Sequence, residues 1–179
     1  YGQCMKYPHG AVIAYVGLGG NLGDALSTLR SAALSLAQLP DSRLVAASQL
    51  YRSKPLGPID QPDYHNAAVK LATRLFPEAL LDQLLAIETE FGRIRSGERW
   101  GPRTLDLDLL LHGDTIQTGE RLTLPHPGLR QRAFVLYPLS EINPGLVLPD
   151  RERLADRLAQ VPEAGLTRVG TLINIENER

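Results

Sequence analysis

The run Asp106-Leu107-Asp108-Leu109-Leu110-Leu111 constrains this chain more than any other segment. Leu109 to Leu111 continue without polar alternation, as in a strand covered on both faces. Alternate side chains of a strand point to opposite faces, so Asp106 and Asp108 share one. Their Cα atoms then lie about 6.6 Å apart, at a rise of about 3.3 Å per residue. Two such carboxylates beside a buried strand repel each other and favour a cation between them. The spacing suits a pair of divalent ions about 3.5–4 Å apart. The plainer alternative is a strand with two solvated polar positions.

Arg93, Arg95, Arg99 and Arg103 fall within eleven residues just upstream, opposed only by Glu98. Guanidinium forks match phosphate oxygens, so arginines ahead of a carboxylate pair point to metal-dependent phosphoryl-type transfer. Arg103 stands three residues before Asp106, and Arg93 and Arg95 would arrive only when a long loop closes. Net charge is −1, which counts against a general nucleic-acid binder. The single cysteine, Cys4, allows no disulfide within the chain and fits a reducing, cytoplasmic setting. No run of 18 apolar residues is present, so no membrane span is expected.

The 179 residues, 43 % of them hydrophobic, suit one domain with a proper core. Residues 1–10 read as an extension, 11–164 as a single catalytic domain, and 165–179 as a tail without clear signal. A strand is expected over Ala11–Leu18, then a glycine turn. A helix follows from Asp24 to about Gln38, with Ala25, Leu29, Ala32, Ala33 and Leu36 as its apolar stripe. One strand is expected over Leu44–Ser53 and another over Tyr64–Thr73, joined by a Pro/Gly-rich loop. Pro77 opens a second helix that Gly92 stops. A long loop leads to a fourth strand over Asp106–His112. The order β-α-β-β-α-β is the split pattern of a ferredoxin-like α+β domain with a mainly antiparallel sheet. A small hairpin over Asp114–Leu122 and helices over Arg130–Ile142 and Leu154–Gln160 complete the chain.

Other residues bear on chemistry without deciding it. Trp100 covers a flat heterocycle or anchors its loop. His126, between Pro125 and Pro127, donates to a phosphate or supports the turn. Asn66 offers the paired donor and acceptor that an amide-like heterocycle edge needs, or ties its own backbone. The turn Gly17-Leu18-Gly19-Gly20-Asn21-Leu22-Gly23 satisfies neither the dinucleotide fingerprint nor a Walker A loop, and reads as a strand-to-helix turn.

Four segments, GLGGNLGD (17–24), LYRSKPLGPIDQPDYHNAAV (50–69), GRIRSGERWGPRTLDLDLLL (92–111) and RLTLPHPGLRQRAFVLYPLSEI (121–142), resemble the 6-hydroxymethyl-7,8-dihydropterin pyrophosphokinases of folate biosynthesis. They occur in the family's order. The resemblance implies a ferredoxin-like sandwich, a monomer, and transfer of the β,γ-pyrophosphoryl group of ATP to a pterin hydroxymethyl oxygen with release of AMP. It implies two Mg²⁺ ions on Asp106 and Asp108. It places the pterin against Ser53, Leu56, Gly57, Tyr64, Asn66, Trp100, Asp106 and Phe134, between aromatic rings. It assigns ATP to Arg93, Arg95, Arg103, Arg121, His126 and Arg132, with Arg93, Arg95 and Arg103 catalytic beside the two aspartates. Gly20, Lys54 and Pro127 depart from the family's commoner Ser, Pro and aromatic residues, and Lys54 adds a charge at the rim of the pterin pocket.

Two rival classes remain at this point. One is another two-metal nucleotidyl transferase, which would want a basic templating surface. The other is an RNA-binding module, since IAYVGLGGNL resembles the first-strand motif of an RNA-recognition domain. The third strand, NAAVKLATRL, lacks the aromatics that such a domain uses.

Overall fold

Strand β1 (Val12–Gly20) alternates so that Ala14, Val16 and Leu18 enter one apolar layer and Tyr15 enters another. These facts come from a computed structural model that describes residues 9–55, 57, 60–92, 104–163 and 165–175. Helix α1 (Ala25–Ala37) begins where the Asp24 side chain accepts the Ser27 N–H at 3.1 Å. It buries Ala25, Leu29, Ala32, Ala33 and Leu36, the stripe that the periodicity predicts. Strands β2 (Ser42–Ala47), β3 (Gln49–Ser53) and β4 (Tyr64–Thr73) follow. Helix α2 (Pro77–Glu90) opens on its proline and ends at Gly92, whose φ of 74° suits a residue without Cβ. Strand β5 (Asp106–His112), helices α3 (Ala133–Ile142) and α4 (Leu154–Leu158), and strand β6 (Thr167–Thr171) complete the order.

The six-stranded sheet runs β5-β1-β4-β3-β6, with β2 also on β4, and every pairing is antiparallel. With β2 and β3 counted as one interrupted strand, the four main strands lie in the order fourth, first, third, second. That is the arrangement a split β-α-β chain produces. Helices α1 and α2 pack on one face, over Val16, Leu18, Val69, Leu71, Leu107 and Leu109. Helices α3 and α4 cover the other, over Tyr15, Ala68 and Leu110. The result is three layers with β1 and β4 buried at the centre.

Three elements differ from the sequence expectation. The strand expected over Leu44–Ser53 breaks at Ser48, whose hydroxyl takes the Ala68 N–H at 2.9 Å and so substitutes for a ladder partner. The register against β4 slips by one residue between Leu44 and Ala46, and by one more between Ala47 and Tyr51. Together the slips carry Tyr51 from opposite Tyr64 to opposite Asn66. The hairpin expected over Asp114–Leu122 is reduced to one bridge, Gln117 with Leu124. The region after Gly165, which carries no clear sequence signal, holds β6 on the edge of β3.

At the far end, Glu152 accepts Arg157 Nε at 2.7 Å and Arg130 Nε at 2.9 Å. The Arg157 hydrogen bond, then that of Arg130, holds the Glu152 carboxyl below its ordinary value of 4.5. A depressed carboxyl stabilises the fold above its unfolded value and loses that contribution as pH falls through the folded value. Thermal unfolding should therefore place Glu152→Gln below wild type at pH 7. The gap should close as the pH drops below 4.5. A gap independent of pH would mean the carboxylate charge contributes nothing.

Candidate active site

The antiparallel registers of β1 align one row across the sheet. Gly19 stands opposite Asp106 on one side and Asn66 on the other, and Asn66 stands opposite Tyr51. A second row sets Gly17 between Asp108 and Ala68. Leu107 and Leu109 enter the layer under α1 and α2, while Asp106 and Asp108 are half-buried on the face that Leu110 presents to α3. The two carboxylates thus project together, as the alternation requires. Between them and Asn66 the sheet is bare at Gly19, which has no side chain, while the Leu110 side chain lies over Gly17. A Cβ on Gly19 would sit 3.0 Å from Asn66 Oδ1.

That bare strip has a polar far wall. Asn66 is 5 % exposed, and its Nδ2 donates to Ser53 Oγ at 2.8 Å. Tyr64 shares the face of Asn66, opposite Ser53, and Phe134 comes to the same side from the first turn of α3. Gly57, with a φ of 97°, lies in the loop leading to this wall. Buried Asn21 donates from Nδ2 to Gln61 Oε1 at 2.8 Å and to the Pro62 carbonyl at 2.9 Å. This ties the loop before Tyr64 to the glycine turn after β1. Behind Asn66, burial and the Glu141 carboxylate hold the Tyr51 phenol well above its usual value, and its hydroxyl donates to Glu141 Oε1 at 2.7 Å.

On the outer side of β5 lies a cavity of about 270 Å³. Leu81, Leu107, Leu109 and Leu122 form its apolar walls, and Asp108 and His126 are among its polar lining. Arg121 stands at its rim in an ion pair with Asp82. The Gly128 N–H donates to His126 Nδ1 at 3.0 Å, so the neutral ring carries its proton on Nε2, 3.7 Å from Asp108 Oδ1. Burial pushes the imidazole pKa down; Asp108 opposes that shift, and Arg132 adds to it. The Arg132 guanidinium lies 5.8 Å from the centroid of the Phe134 ring. Asp108 therefore lines the cavity, while Asp106 stands opposite Gly19 in the register of β5 with β1.

Leu56, Arg93, Arg95, Trp100 and Arg103 lie outside the described residues. Of the other expected residues, the structure brings Asp106, Asp108, His126 and Arg132 to one end of the sheet. It sets Ser53, Tyr64, Asn66 and Phe134 around the strip. Two carboxylates on one face, half-exposed beside a pocket, are a hard oxygen donor set that fits Mg²⁺. Among the described residues no group of three acidic, histidine or cysteine side chains makes a complete metal cage. That suits an ion whose remaining oxygens come from phosphate and water.

Sequence reasoning missed Glu88. It is 3 % exposed in the last turns of α2, and its Oε1 accepts the Leu107 N–H at 2.8 Å. Leu107 is the residue between the two aspartates, so Glu88 pins the backbone that presents them. The only sequence trace is an acid next to Ile87 on the apolar stripe. Glu88→Ala leaves a buried N–H unpaired and should cost about 1–3 kcal/mol in chemical unfolding. Glu88→Gln keeps an acceptor and should lose less. Equal losses would show that the Leu107 contact is not what Glu88 contributes.

Comparison with known proteins bears on this geometry. The family model for 7,8-dihydro-6-hydroxymethylpterin-pyrophosphokinase (HPPK) matches residues 15–144. The 2-amino-4-hydroxy-6-hydroxymethyldihydropteridine pyrophosphokinase of Haemophilus influenzae is 48 % identical over 149 residues, which cover 83 % of this chain and 92 % of that protein. The protein of the same name from Pseudomonas aeruginosa is 49 % identical over 155 residues, covering 87 % and 95 %. Among solved structures, Plasmodium falciparum HPPK-DHPS wild type with pteroate matches with a TM-score of 0.67 at 13 % identity, over 84 % of this chain and 44 % of that chain. That likeness is one of fold, and the chain spans under half the length of the solved chain.

Proposed function

This chain belongs to the 7,8-dihydro-6-hydroxymethylpterin-pyrophosphokinase family, and from that membership and the geometry of the site we propose what it does. It transfers the β,γ-pyrophosphoryl group of ATP to the hydroxymethyl oxygen of 6-hydroxymethyl-7,8-dihydropterin. The observation that carries the reading is the position of the carboxylate pair. Asp108 lines an apolar cavity on the outer edge of β5, and Asp106 stands opposite Gly19 in the row that runs on to Asn66. A nucleotide base fits the cavity, and a flat, amide-edged heterocycle fits the strip along that row.

In this reading the cavity holds the adenine end of ATP between its leucine walls, and the triphosphate runs past Asp108 toward the strip. His126 Nε2–H and the guanidiniums of Arg121 and Arg132 take phosphate oxygens, as do Arg93, Arg95 and Arg103 from the preceding segment. The pterin lies on the strip between Tyr64 and Phe134, with Asn66 and Ser53 at its amide edge and Gly57, Leu56 and Trp100 around it. The hydroxymethyl oxygen bonds to the β-phosphorus. The bond from that phosphorus to the α,β-bridging oxygen breaks, and AMP leaves with the electron pair. Asp106 or a water accepts the hydroxyl proton.

Asp106 and Asp108 would hold two Mg²⁺ ions, which supply charge neutralisation to the phosphates and acidify the attacking hydroxyl. The protein's share is positioning and electrostatics, as in phosphoryl transfer generally. We place the enzyme in the cytoplasm as a monomer that binds no nucleic acid. Its single cysteine and net charge of −1 support that placement. No helix among the described residues is long and apolar enough to cross a membrane.

Incubation with ATP, Mg²⁺ and the hydroxymethyl pterin should yield AMP; formation of ADP, or no pterin-dependent turnover, refutes the reaction. Asp106→Ala and Asp108→Ala should each lose at least about 10²-fold in kcat, as expected for a removed electrostatic group, with melting temperatures unchanged. Wild-type rates in either variant would remove the pair from the site. Gly19→Ala adds a methyl beside Asn66 Oδ1 and should raise the pterin KM about tenfold while leaving ATP affinity alone. A matching loss for both substrates would mean that the strip is not the pterin floor.

A further inference from the structure

The turn that leads from His126 into α3 contains Gly128, a buried residue with an ordinary backbone φ. Its missing side chain is occupied space. A Cβ built there would lie 2.5 Å from both Cζ and Nε of Arg132, and 2.9 Å from Nη1. Ordinary contact needs about 3.5 Å. The guanidinium therefore rests on the α-carbon of Gly128, with the Phe134 ring 5.8 Å from its centre. The N–H of the same glycine holds Nδ1 of His126.

We infer that Gly128 is a positioning residue for Arg132: by carrying no side chain it seats the guanidinium between the turn and the Phe134 ring, beside His126 and Asp108. A planar cation needs such a slot, because its stacking and its fork of donors both depend on orientation. A methyl at position 128 does not strain the backbone, since φ is ordinary, and the displaced atoms are the far end of a flexible side chain. The substitution therefore moves Arg132 at small cost to the fold. The inference rests on the functional reading above, because it takes nucleotide phosphate as the ligand of Arg132.

A double-mutant cycle tests it, with calorimetric binding of Mg²⁺-loaded α,β-methylene-ATP as the readout. Gly128→Ala should bind about tenfold more weakly than wild type, with the melting temperature within about 2 °C. Arg132→Ala should also bind more weakly. In the Arg132→Ala background, Gly128→Ala should add nothing, because there is no guanidinium left to displace. A merely structural glycine would weaken both backgrounds alike, and that result overturns the inference. So does Gly128→Ala binding as tightly as wild type.

A second measurement reads the seat in a protein whose residue 128 is unchanged. In wild type, the Arg132 Nε–H resonance, assigned by its disappearance in Arg132→Lys, should be shifted by the Phe134 ring, and Phe134→Leu should abolish that shift. An unshifted resonance means that the seat is not populated and overturns the inference. Wild-type protein that binds no nucleotide overturns the functional reading and this inference with it, whereas binding without dependence on residue 128 removes only the inference.

Discussion

Strand β1 hydrogen-bonds to β5 on one side and β4 on the other, and that pairing decides which side chains meet across the sheet. The registers place Asp106, Gly19 and Asn66 in one line and Asp108, Gly17 and Ala68 in the next. A one-residue slip of β5 would turn both aspartates into the layer under α1 and α2, where Leu107 and Leu109 now pack. The same register brings the carboxylates together.

What resists the slip is not only the apolar layer. Strand β5 is the edge of the sheet, so its outward backbone groups need partners other than a strand. The Leu107 N–H finds the buried Glu88 carboxylate at 2.8 Å, and the Leu110 carbonyl accepts the His126 N–H at 3.0 Å. Both contacts close the edge, and both hold backbone beside the two aspartates. Glu88 sets the backbone between the aspartates, and the Leu110 contact sets the distance from His126 to Asp108. The Glu88 contact falls at the residue between the two aspartates, where it helps hold the register of β5.

Much of this was legible in the sequence, for identifiable reasons. The stripes of α1 and α2 follow helical period, and the aspartate pair follows strand period, so both are local signals. The pyrophosphokinase motifs are contiguous and could be recognised as they stand. The row linking Asp106, Gly19 and Asn66 was not legible, because it depends on register between strands far apart in sequence. The break at Ser48 was hidden because a hydroxyl stands in for a backbone donor or acceptor, which no hydrophobic pattern records. Strand β6, Thr-Arg-Val-Gly-Thr, has too little apolar alternation to announce itself. Glu88 was missed because periodicity reads a charged residue as solvent-facing.

Phosphoryl transfer leaves the protein little covalent work, so how firmly each polar group is held matters more than its type. The aspartates and Asn66 are held by the sheet itself. His126 and Arg132 come from a turn, and a turn must be held by other means. This one is anchored along its length. The Leu124 N–H and carbonyl bridge to Gln117, the His126 N–H joins β5, and Leu129 is buried in the layer under α3. Arg130 reaches Asp150 at 2.6 Å and Glu152 at 2.9 Å, and Glu152 is itself braced by Arg157 from α4. Those ion pairs lie away from the carboxylate pair and touch none of the groups assigned to substrate. Yet Arg130 is two residues from Arg132 and two from Gly128. Asp150 and Glu152 thus fix the middle of the turn that carries His126 and Arg132, which gives the region after the main motifs a physical part in the candidate site's geometry.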